Sequence, residues 1–367
     1  MREDRERVAA LVIHPRARLL LPIFLLVLAA LTIWRLTGGA PGSGVLELAG
    51  ATMGTRWTLK LHAPELGAAG GREVAAAAQA TLDRVEGLMS TWDPESEVSR
   101  LNRHAAPEPF PVSPGIAHVL DVARQVSALT GGAFDVTVRP IVSAWGFGAT
   151  DRAPRPPTRA ELDALRGRVG YRLLRLDLPA RSVSKARSDV ECDLSAIAKG
   201  FGVDEVARVL AEKGHGDFLV EVGGELRASG VRPDGRAWRV AIERPDAAGR
   251  AIHRVVGLRD RSMATSGDYR NYYERDGRRF SHLIDPRTAA PVTHDLASVS
   301  VIHESATWAD ALATALSVLG PEEGGALAER EGLAVHFIVR AEDGALRSES
   351  TSAFRALLAA EEEDPEH

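Results

Sequence analysis

The stretch Asn271-Tyr-Tyr-Glu-Arg-Asp276-Gly277-Arg-Arg-Phe-Ser-His282 decides the fold class of this chain. Asp276-Gly277 is a typical hairpin turn, because both residues tolerate the positive φ angles that a two-residue connection needs. The turn predicts that Asn271–Arg275 and Arg278–His282 pair as antiparallel strands. Since helical patterns lie on both sides of this hairpin, we predict an α+β protein with mixed, mainly antiparallel sheets and packed helices.

Outward from the hairpin, strand and helix patterns mix without a repeat, and they predict one folded region over residues 46–357 with an acidic tail, 358–367. Period-two patterns and short apolar runs predict strands at Thr55–His62, Phe218–Val222, Ala297–Ile302 and Ala334–Val339. Helical spacing and end signals predict helices at Glu73–Met89, after Ser113-Pro114 up to Gly131-Gly132, after the capping box at Thr158, and at Ser195–Lys213, Ser305–Leu319 and Glu322–Glu331.

The N-terminal region has the pattern of a membrane anchor. Five arginines within residues 1–18 precede a predicted span, residues 19–36, and a Gly/Pro/Ser-rich linker, residues 37–45. A cleaved signal peptide is the alternative, but Ile33, Trp34 and Arg35 occupy the zone where cleavage needs small residues. We expect one transmembrane helix with a cytoplasmic N-terminus, which places the rest of the chain on the periplasmic side of a bacterial inner membrane.

Composition excludes several classes of protein and site. The formal net charge of -5 provides no basic field for a nucleic-acid backbone, so nucleic acid is not an expected partner. Cys192 is the single cysteine, which excludes an intramolecular disulfide and a cysteine zinc cluster. The P-loop, G-x-G-x-x-G, H-E-x-x-H and G-x-S-x-G signatures are also missing from the sequence.

Asp310 is the single charged residue of the apolar helix Ser305–Leu319, and Thr314 lies one turn later on the same face. A carboxylate and a hydroxyl at this spacing form a reasonable half-site for Mg²⁺, which prefers oxygen ligands and is often completed by substrate phosphates. The alternative for an isolated pair is an aspartate on the solvent face or an ion pair with an arginine.

Two further segments carry candidate chemistry. Lys199 lies among small and apolar residues after Asp193, and a compact ammonium suits a phosphate group or a flavin carbonyl at a crowded site. Asp193 suits a helix cap as well as it suits a ligand contact. His282, after the hairpin, is a candidate general base, because an ordinary histidine accepts a proton near neutral pH.

Taken in order, these segments resemble the ApbE family of FAD:protein FMN transferases over nearly everything after the predicted anchor. Six blocks carry the resemblance: Met53-Gly54-Thr55; Ser90-Thr91-Trp92-Asp93 with Ser96, Ser99 and Asn102; Thr130–Asp135 through Pro140 to Trp145-Gly146-Phe147-Gly148; Asp193-Leu194 through Lys199-Gly200-Phe201 to Asp204; Ala264–Tyr269 through His282 to Pro286; and Ala309-Asp310-Ala311 through Thr314-Ala315.

The resemblance implies a tunnelling-fold-like ApbE architecture and a set of site residues. It implies that FAD, the substrate, contacts Met53, Trp92, Ala133, Phe134, Asp135, Asp193, Lys199 and Ile284. It further implies that Mg²⁺ is held by Asp310 and Thr314, with backbone oxygens near Ala196 and Ala313, and that His282 is the catalytic base.

The implied reaction transfers the FMN moiety of FAD to a threonine of a target flavoprotein and releases AMP. Implied acceptors are subunits of sodium-pumping NADH:quinone oxidoreductases, Rnf complexes and related flavoproteins. Two alternatives remain open at this point: a Mg²⁺-dependent FAD pyrophosphatase that gives FMN and AMP, and a non-catalytic, membrane-tethered FAD-binding protein. The sequence departs from the family pattern at Ala289, where a glycine is usual, and at Glu221 and Glu225, where Asn and Asp are more usual.

Overall fold

The hairpin predicted around Gly277 is present: Tyr272–Arg275 and Arg278–Ser281 pair antiparallel, with Arg275 opposite Arg278. The structure is a computed structural model of the chain. It describes residues 44–245, 251–267, 272–275, 277–341 and 343–362. The remaining sheets that the structure describes are antiparallel as well. The predicted α+β class with mainly antiparallel sheets is therefore confirmed.

Strands and helices are interspersed along the described part of the chain. The strands are β1 (Val45–Thr52), β2 (Thr55–His62), β3 (Phe110–Pro111), β4 (Leu174–Asp177), β5 (Ser182–Lys185), β6 (Phe218–Val222), β7 (Glu225–Ser229), β8 (Trp238–Glu243), β9 (Ile252–Leu258), β10 (Arg261–Gly267), β11 (Tyr272–Arg275), β12 (Arg278–Ser281), β13 (Ile284–Asp285), β14 (Ala290–Pro291), β15 (Leu296–His303), β16 (Ala334–Arg340) and β17 (Leu346–Ser350). The helices are α1 (Ala68–Met89), α2 (Glu97–Arg103), α3 (Pro114–Leu129), α4 (Arg139–Ala144), α5 (Arg159–Arg166), α6 (Ala198–Glu212), α7 (Ala306–Arg330) and α8 (Ser352–Glu362).

An eight-stranded sheet organises the fold, with the strand order β1-β2-β6-β7-β10-β15-β16-β17. Helices α1, α6 and α7 pack on one face of it, over a core that includes Leu59, Val220 and Val301. The hairpin β8–β9 and helix α8 cover the other face, where Met263, Ile302 and Phe354 are buried. Strand β15 is buried along almost its whole length because both faces of the sheet are covered there.

The helix signals read from the sequence correspond to observed caps. Ser113 Oγ accepts from the Ile116 N–H at the start of α3, and Thr158 forms the predicted capping box with Glu161 at the start of α5. Gly320 has φ +81° and ψ 178°, so α7 changes direction at the predicted stop before Pro321.

Two boundaries differ from the predictions. Helix α6 begins at Ala198 instead of Ser195, because Asp193 Oδ1 accepts from the Ser195 N–H at 2.9 Å and a turn forms before the helix starts. Helix α8 continues to Glu362, past residue 358 where the predicted tail begins, and Leu358 packs against the core on the far face of the sheet.

The predicted anchor, residues 19–36, lies outside the described residues. Within the parts of the chain that the structure describes, no helix combines the length and apolar character that crossing a bilayer requires.

Candidate functional site

A cleft with two adjoining compartments lies where helices α6 and α7 meet the loops beside the sheet. The compartments have volumes of about 540 and 570 Å³. Trp92, Asp193, Ser195 and Lys199 line both of them and so mark the passage between the two. Each volume lies in the range of small-molecule sites, so the cleft can take a ligand that has two bulky ends and a polar middle.

The structure brings almost all the predicted site residues to this cleft. The smaller compartment is lined by Met53, Trp92, Asp193 and Lys199 from the predicted set. The larger compartment is lined by Trp92, Ala133, Phe134, Asp135, Asp193, Ala196, Lys199, His282, Ile284, Asp310 and Thr314. Ala313 lines neither compartment and its side chain is buried in the core.

Lys199 lies between two buried carboxyl groups. Its Nζ is 3.4 Å from Asp310 Oδ1 and 3.3 Å from Glu225 Oε1. Burial lowers the pKa of Lys199, but the two carboxylates more than offset burial and the net pKa is raised. Burial raises the pKa of Glu225 and the nearby Asp310 adds to it, while the Lys199 ammonium opposes both. The centre of the cleft therefore holds one cation against two acidic groups.

Asp310 is also held from the backbone of helix α6. The Gly200 N–H donates to Asp310 Oδ2 at 2.9 Å, one residue beyond Lys199. Because Gly200 lies in the first turn of α6, its N–H is among the donors that have no partner within the helix. The start of α6 thus orients one oxygen of Asp310, while Oδ1 lies on the side of Lys199.

Asp193 uses one oxygen for structure. Its Oδ1 accepts from Ser195 N–H, and its own N–H donates to the Val136 carbonyl at 2.7 Å. Among the described residues no donor reaches Oδ2, and Asp193 lines both compartments. The predicted cap of helix α6 is wrong, because the helix begins at Ala198 with Ile197 as its N-cap and no side chain caps it. Asp193 instead closes the turn before the helix with one oxygen, and its second oxygen is available to a ligand.

Both carboxylate oxygens of Asp135 accept hydrogen bonds from the protein itself. Its Oδ1 accepts from the backbone N–H and the hydroxyl of Thr137, and its Oδ2 accepts from the Tyr171 N–H at 2.6 Å. Burial raises the pKa of Asp135, and these hydrogen bonds oppose the rise. The carboxylate therefore fixes the Ala133–Asp135 wall of the larger compartment, although the residue lines that compartment itself.

Met53 and Trp92 form the outer part of the cleft. Met53 and Gly54 have φ values of +47° and +68°, so the β1–β2 hairpin closes with both central residues left-handed. Met53 accepts this uncommon conformation while its N–H donates to Glu86 Oε2 at 3.2 Å. Trp92 is 73% exposed, so its indole ring is available at the passage between the compartments.

The β11–β12 hairpin delivers His282 to the larger compartment. Tyr273 and Phe280 of the hairpin stack with ring centroids 5.2 Å apart and pack against Phe147 and Trp145. His282 follows the hairpin directly, and its ring meets the Phe147 ring nearly edge-on at 6.5 Å. An aromatic cluster thus supports the candidate base.

The side chains of the cleft provide only some of the oxygen ligands that a hard cation such as Mg²⁺ needs. No group of three or more His, Cys, Asp or Glu side chains with metal-binding geometry occurs in the described ranges. Asp310 and Thr314 nevertheless line one wall, and the nearby Glu225 has a buried Oε2 with no hydrogen-bond partner. The oxygens of Asp310 and Thr314 fit Mg²⁺, which takes few protein ligands when phosphate oxygens complete its shell.

The sequence missed one residue at the centre of the site. Glu225 stood out only as a departure beside Gly223-Gly224, because nothing local shows that the turn between β6 and β7 lies against Lys199. The available signal was the pair of glycines, whose φ values of +58° and +102° permit that close approach.

Known proteins resemble this chain in sequence over most of its length. The sequence matches the ApbE family over residues 53–337. An FAD:protein FMN transferase from Vibrio cholerae is 40% identical over 335 residues, which cover 91% of this chain and 98% of that protein. One from Escherichia coli K12 is 37% identical over 319 residues, 86% of this chain and 90% of that protein.

Solved structures show the same fold. The flavin transferase ApbE from Vibrio cholerae has a TM-score of 0.78 at 39% identity, covering 86% of this chain and 99% of that one. The apo form of the Pseudomonas stutzeri flavinyl transferase ApbE also has a TM-score of 0.78 at 39% identity, covering 86% and 97%. Since the family match spans most of the sequence and the solved structures share the fold, this chain belongs to the ApbE family.

Proposed function

We propose that this chain is a Mg²⁺-dependent FAD:protein FMN transferase that attaches FMN to a threonine of an acceptor flavoprotein. One observation carries the proposal: a cation, Lys199, and a buried carboxylate, Asp310, lie at the centre of a two-compartment cleft that also contains His282. The relatives in Vibrio cholerae and Escherichia coli bear the name of this activity.

The shape of the cleft supports FAD as the substrate. FAD has two planar ring systems joined through a pyrophosphate, and the two compartments join at Lys199. The ammonium suits the charge of the pyrophosphate. The exposed ring of Trp92 offers a stacking surface for a planar heterocycle at the same place.

Mg²⁺ would be held by Asp310 and Thr314, with the backbone oxygens near Ala196 and Ala313 proposed as further ligands. When bound, the ion neutralises charge on the phosphates as the bond to phosphorus changes. The hydrogen bond from the Gly200 N–H to Oδ2 orients the Asp310 carboxylate for metal binding.

The remaining residues position the reactants and move a proton. His282 withdraws the proton of the acceptor threonine hydroxyl, and the threonine oxygen forms a bond to the FMN-side phosphorus. The bond from that phosphorus to the bridging oxygen breaks, and AMP leaves with that oxygen. Lys199 stabilises the negative charge that develops between the two phosphates. Phe147 and Ile284 form apolar walls that limit the access of water.

We also propose that the predicted anchor, residues 19–36, holds the enzyme at a bacterial inner membrane with the cleft in the periplasm. The arginines before the span support this orientation. Subunits of sodium-pumping NADH:quinone oxidoreductases and Rnf complexes are the proposed acceptors, and a tethered enzyme on this side would reach them. Fusion of a periplasm-dependent reporter to the C-terminus tests the orientation, and reporter activity confined to the cytoplasm would contradict it.

The activity is tested by incubating the full chain in detergent with FAD, Mg²⁺ and a threonine-bearing acceptor domain. Intact-mass analysis of the acceptor and quantification of AMP and free FMN then separate the outcomes. We expect a Mg²⁺-dependent FMN adduct with one AMP released per adduct. AMP with free FMN and an unmodified acceptor would instead show a pyrophosphatase, and retained FAD without turnover would show a binding protein.

Variants assign the roles within that assay. His282→Ala should bind FAD but transfer FMN about 10²- to 10⁴-fold more slowly, the usual contribution of a general base. His118→Ala is the matched control, because His118 lies on the exposed face of α3 and lines neither compartment. Asp310→Ala should lose the dependence on Mg²⁺, and a fully active Asp310→Ala enzyme would refute the metal site.

A further inference from the structure

The ammonium of Lys199 is shared, because neither carboxyl group forms a close pair with it. The distances of 3.3 Å to Glu225 and 3.4 Å to Asp310 exceed the ~2.7–2.9 Å of a strong charge-assisted hydrogen bond. The side chains of Glu225 and Asp310 are only 5% and 4% exposed. Water therefore does little to weaken the competition of these two groups for one cation.

The turn that carries Glu225 also restricts the stem of Lys199. Gly223 has φ +58°, and a Cβ atom at this position would lie 3.3 Å from Lys199 Cδ and 2.8 Å from Thr55 Cγ2. The turn thus leaves no room for a side chain at position 223 beside the aliphatic part of Lys199, while Glu225, two residues later, contacts its ammonium. The two contacts together determine where the ammonium can lie.

Glu225 does not have the bonding pattern of a purely structural ion pair. Its Oε2 is buried and has no hydrogen-bond partner among the described residues, although the residue lines the larger compartment. A buried oxygen without a donor costs free energy, so a carboxyl group retained for stability alone would be expected to satisfy both oxygens. Its position beside Lys199 and Asp310 relates it to the chemistry of the cleft.

We propose that Glu225 is a positioning residue for FMN transfer: by sharing Lys199, it keeps the ammonium from forming a closed ion pair with Asp310. This inference rests on the proposed function. Asp310 Oδ1 then remains accessible to Mg²⁺, and the ammonium remains free to turn toward the pyrophosphate. If Glu225 were removed, Lys199 and Asp310 would neutralise each other, and an incoming Mg²⁺ would have to break that buried pair.

The test measures FAD binding by the full chain as Mg²⁺ is added, with flavin fluorescence as the readout. In Glu225→Gln the Mg²⁺ concentration that gives half-maximal binding should rise about tenfold, as for residues that orient a metal ligand. The kcat of FMN transfer at saturating Mg²⁺ should stay close to that of the unmodified protein. Glu225→Asp should restore the Mg²⁺ midpoint, because it keeps a carboxyl group beside Lys199.

Glu221→Gln is the matched control. Glu221 flanks the same turn and accepts hydrogen bonds from Thr58 Oγ1 and the Gly224 N–H, but it lines neither compartment. Its Mg²⁺ midpoint should not change. Equal shifts in Glu221→Gln and Glu225→Gln would show that the shape of the turn matters and would overturn the inference, as would an unchanged midpoint in Glu225→Gln.

Asp310→Asn in the same titration separates this inference from the proposed function. If Asp310→Asn abolishes the effect of Mg²⁺ while Glu225→Gln behaves like the unmodified protein, only the role of Glu225 is refuted. If Asp310→Asn retains the full effect of Mg²⁺, the metal site itself is wrong, and the role of Glu225 is refuted with it.

Discussion

The carbonyl oxygen of Ala306 in α7 lies so close to Gly200 in α6 that a Cβ atom at position 200 would come within 2.2 Å of it. The two helices that carry Lys199 and Asp310 therefore meet at the one residue type that has no side chain. This contact lets the Gly200 N–H reach Asp310, so the packing of two helices and the geometry of the site share one cause.

Gly200→Ala should destabilise the protein by about 3 kcal/mol, because the added methyl group meets backbone atoms that cannot move away without separating the helices. Chemical denaturation measures the change. Gly87→Ala is the matched control: no atom lies within 4 Å of a Cβ atom built at this position in α1. The control should gain about 0.5–1 kcal/mol from helix propensity, and a neutral Gly200→Ala would contradict the described contact.

Asp204 caps α7 from the neighbouring α6. Its carboxylate accepts hydrogen bonds from the Ser305 hydroxyl, the Ala306 N–H, and the N–H and hydroxyl of Thr307, all at 2.7–2.9 Å. Asp204→Ala should cost about 2 kcal/mol, the upper end for a lost helix cap. Thermal or denaturant unfolding measures it, with Asp163→Ala as the control, since that side chain is 56% exposed and its ion pairs contribute little. Equal losses in both variants would refute the cap.

Ala289 has φ +61°, the left-handed conformation that explains why a glycine is usual at this position in the family. Its carbonyl accepts from the Trp145 indole N–H at 3.0 Å, so the loop is held in this conformation. Ala289→Gly should stabilise the protein by about 1 kcal/mol through relief of this strain. Ala290→Gly, where φ is not positive, should destabilise it, and a destabilised Ala289→Gly would show that the strain is absent.

His336 should make stability depend on pH. Its ring is buried against Phe354 and His253, its Nε2 has no partner, and burial lowers its pKa to about 4, with Arg254 and His253 adding to the effect. Unfolding restores a pKa near 6.5, so the unfolded chain binds the proton more readily. The contribution is fully present above pH ~6.5 and falls as the pH drops toward 4, with a loss of about 2 kcal/mol by pH 5.

His336→Gln removes this titration, so denaturation from pH 7 to pH 5 should show a smaller loss of stability in the variant than in the unmodified protein. Parallel curves for the two proteins would contradict the assignment, whatever the absolute stability of the variant.

Much of the fold follows from local signals. The strands around Gly277 and the helix start at Ser113 depend on turn and cap chemistry within a few residues, and the structure has them where the sequence predicts them. The start of α6 could not be placed, because it depends on whether the Ser195 N–H bonds to Asp193 or belongs to the helix. Residues 193–197 are compatible with a turn and with a first helical turn, so the sequence does not distinguish the two.

The candidate site, unlike the fold, could not be predicted from local signals. Family resemblance assembled Met53, Asp193, His282 and Asp310, which lie far apart in the sequence, and the structure brings them to one cleft. The sequence did not predict Glu225 as a site residue, because its place in the site depends on a contact between the β6–β7 turn and α6. Helical or strand periodicity reports which face of an element is buried, but it does not report which loop approaches that face.

The eight-stranded sheet separates the cleft from a face of the protein that can be modified without blocking it. The cleft lies on the side of α6 and α7, whereas α8 lies on the other face, packed through Phe354. A linker or fluorescent label attached to the exposed side of α8 would leave the cleft open to FAD and to an acceptor protein. The protein can therefore be immobilised on a surface through this helix, and acceptors can be passed over it to select those that it modifies.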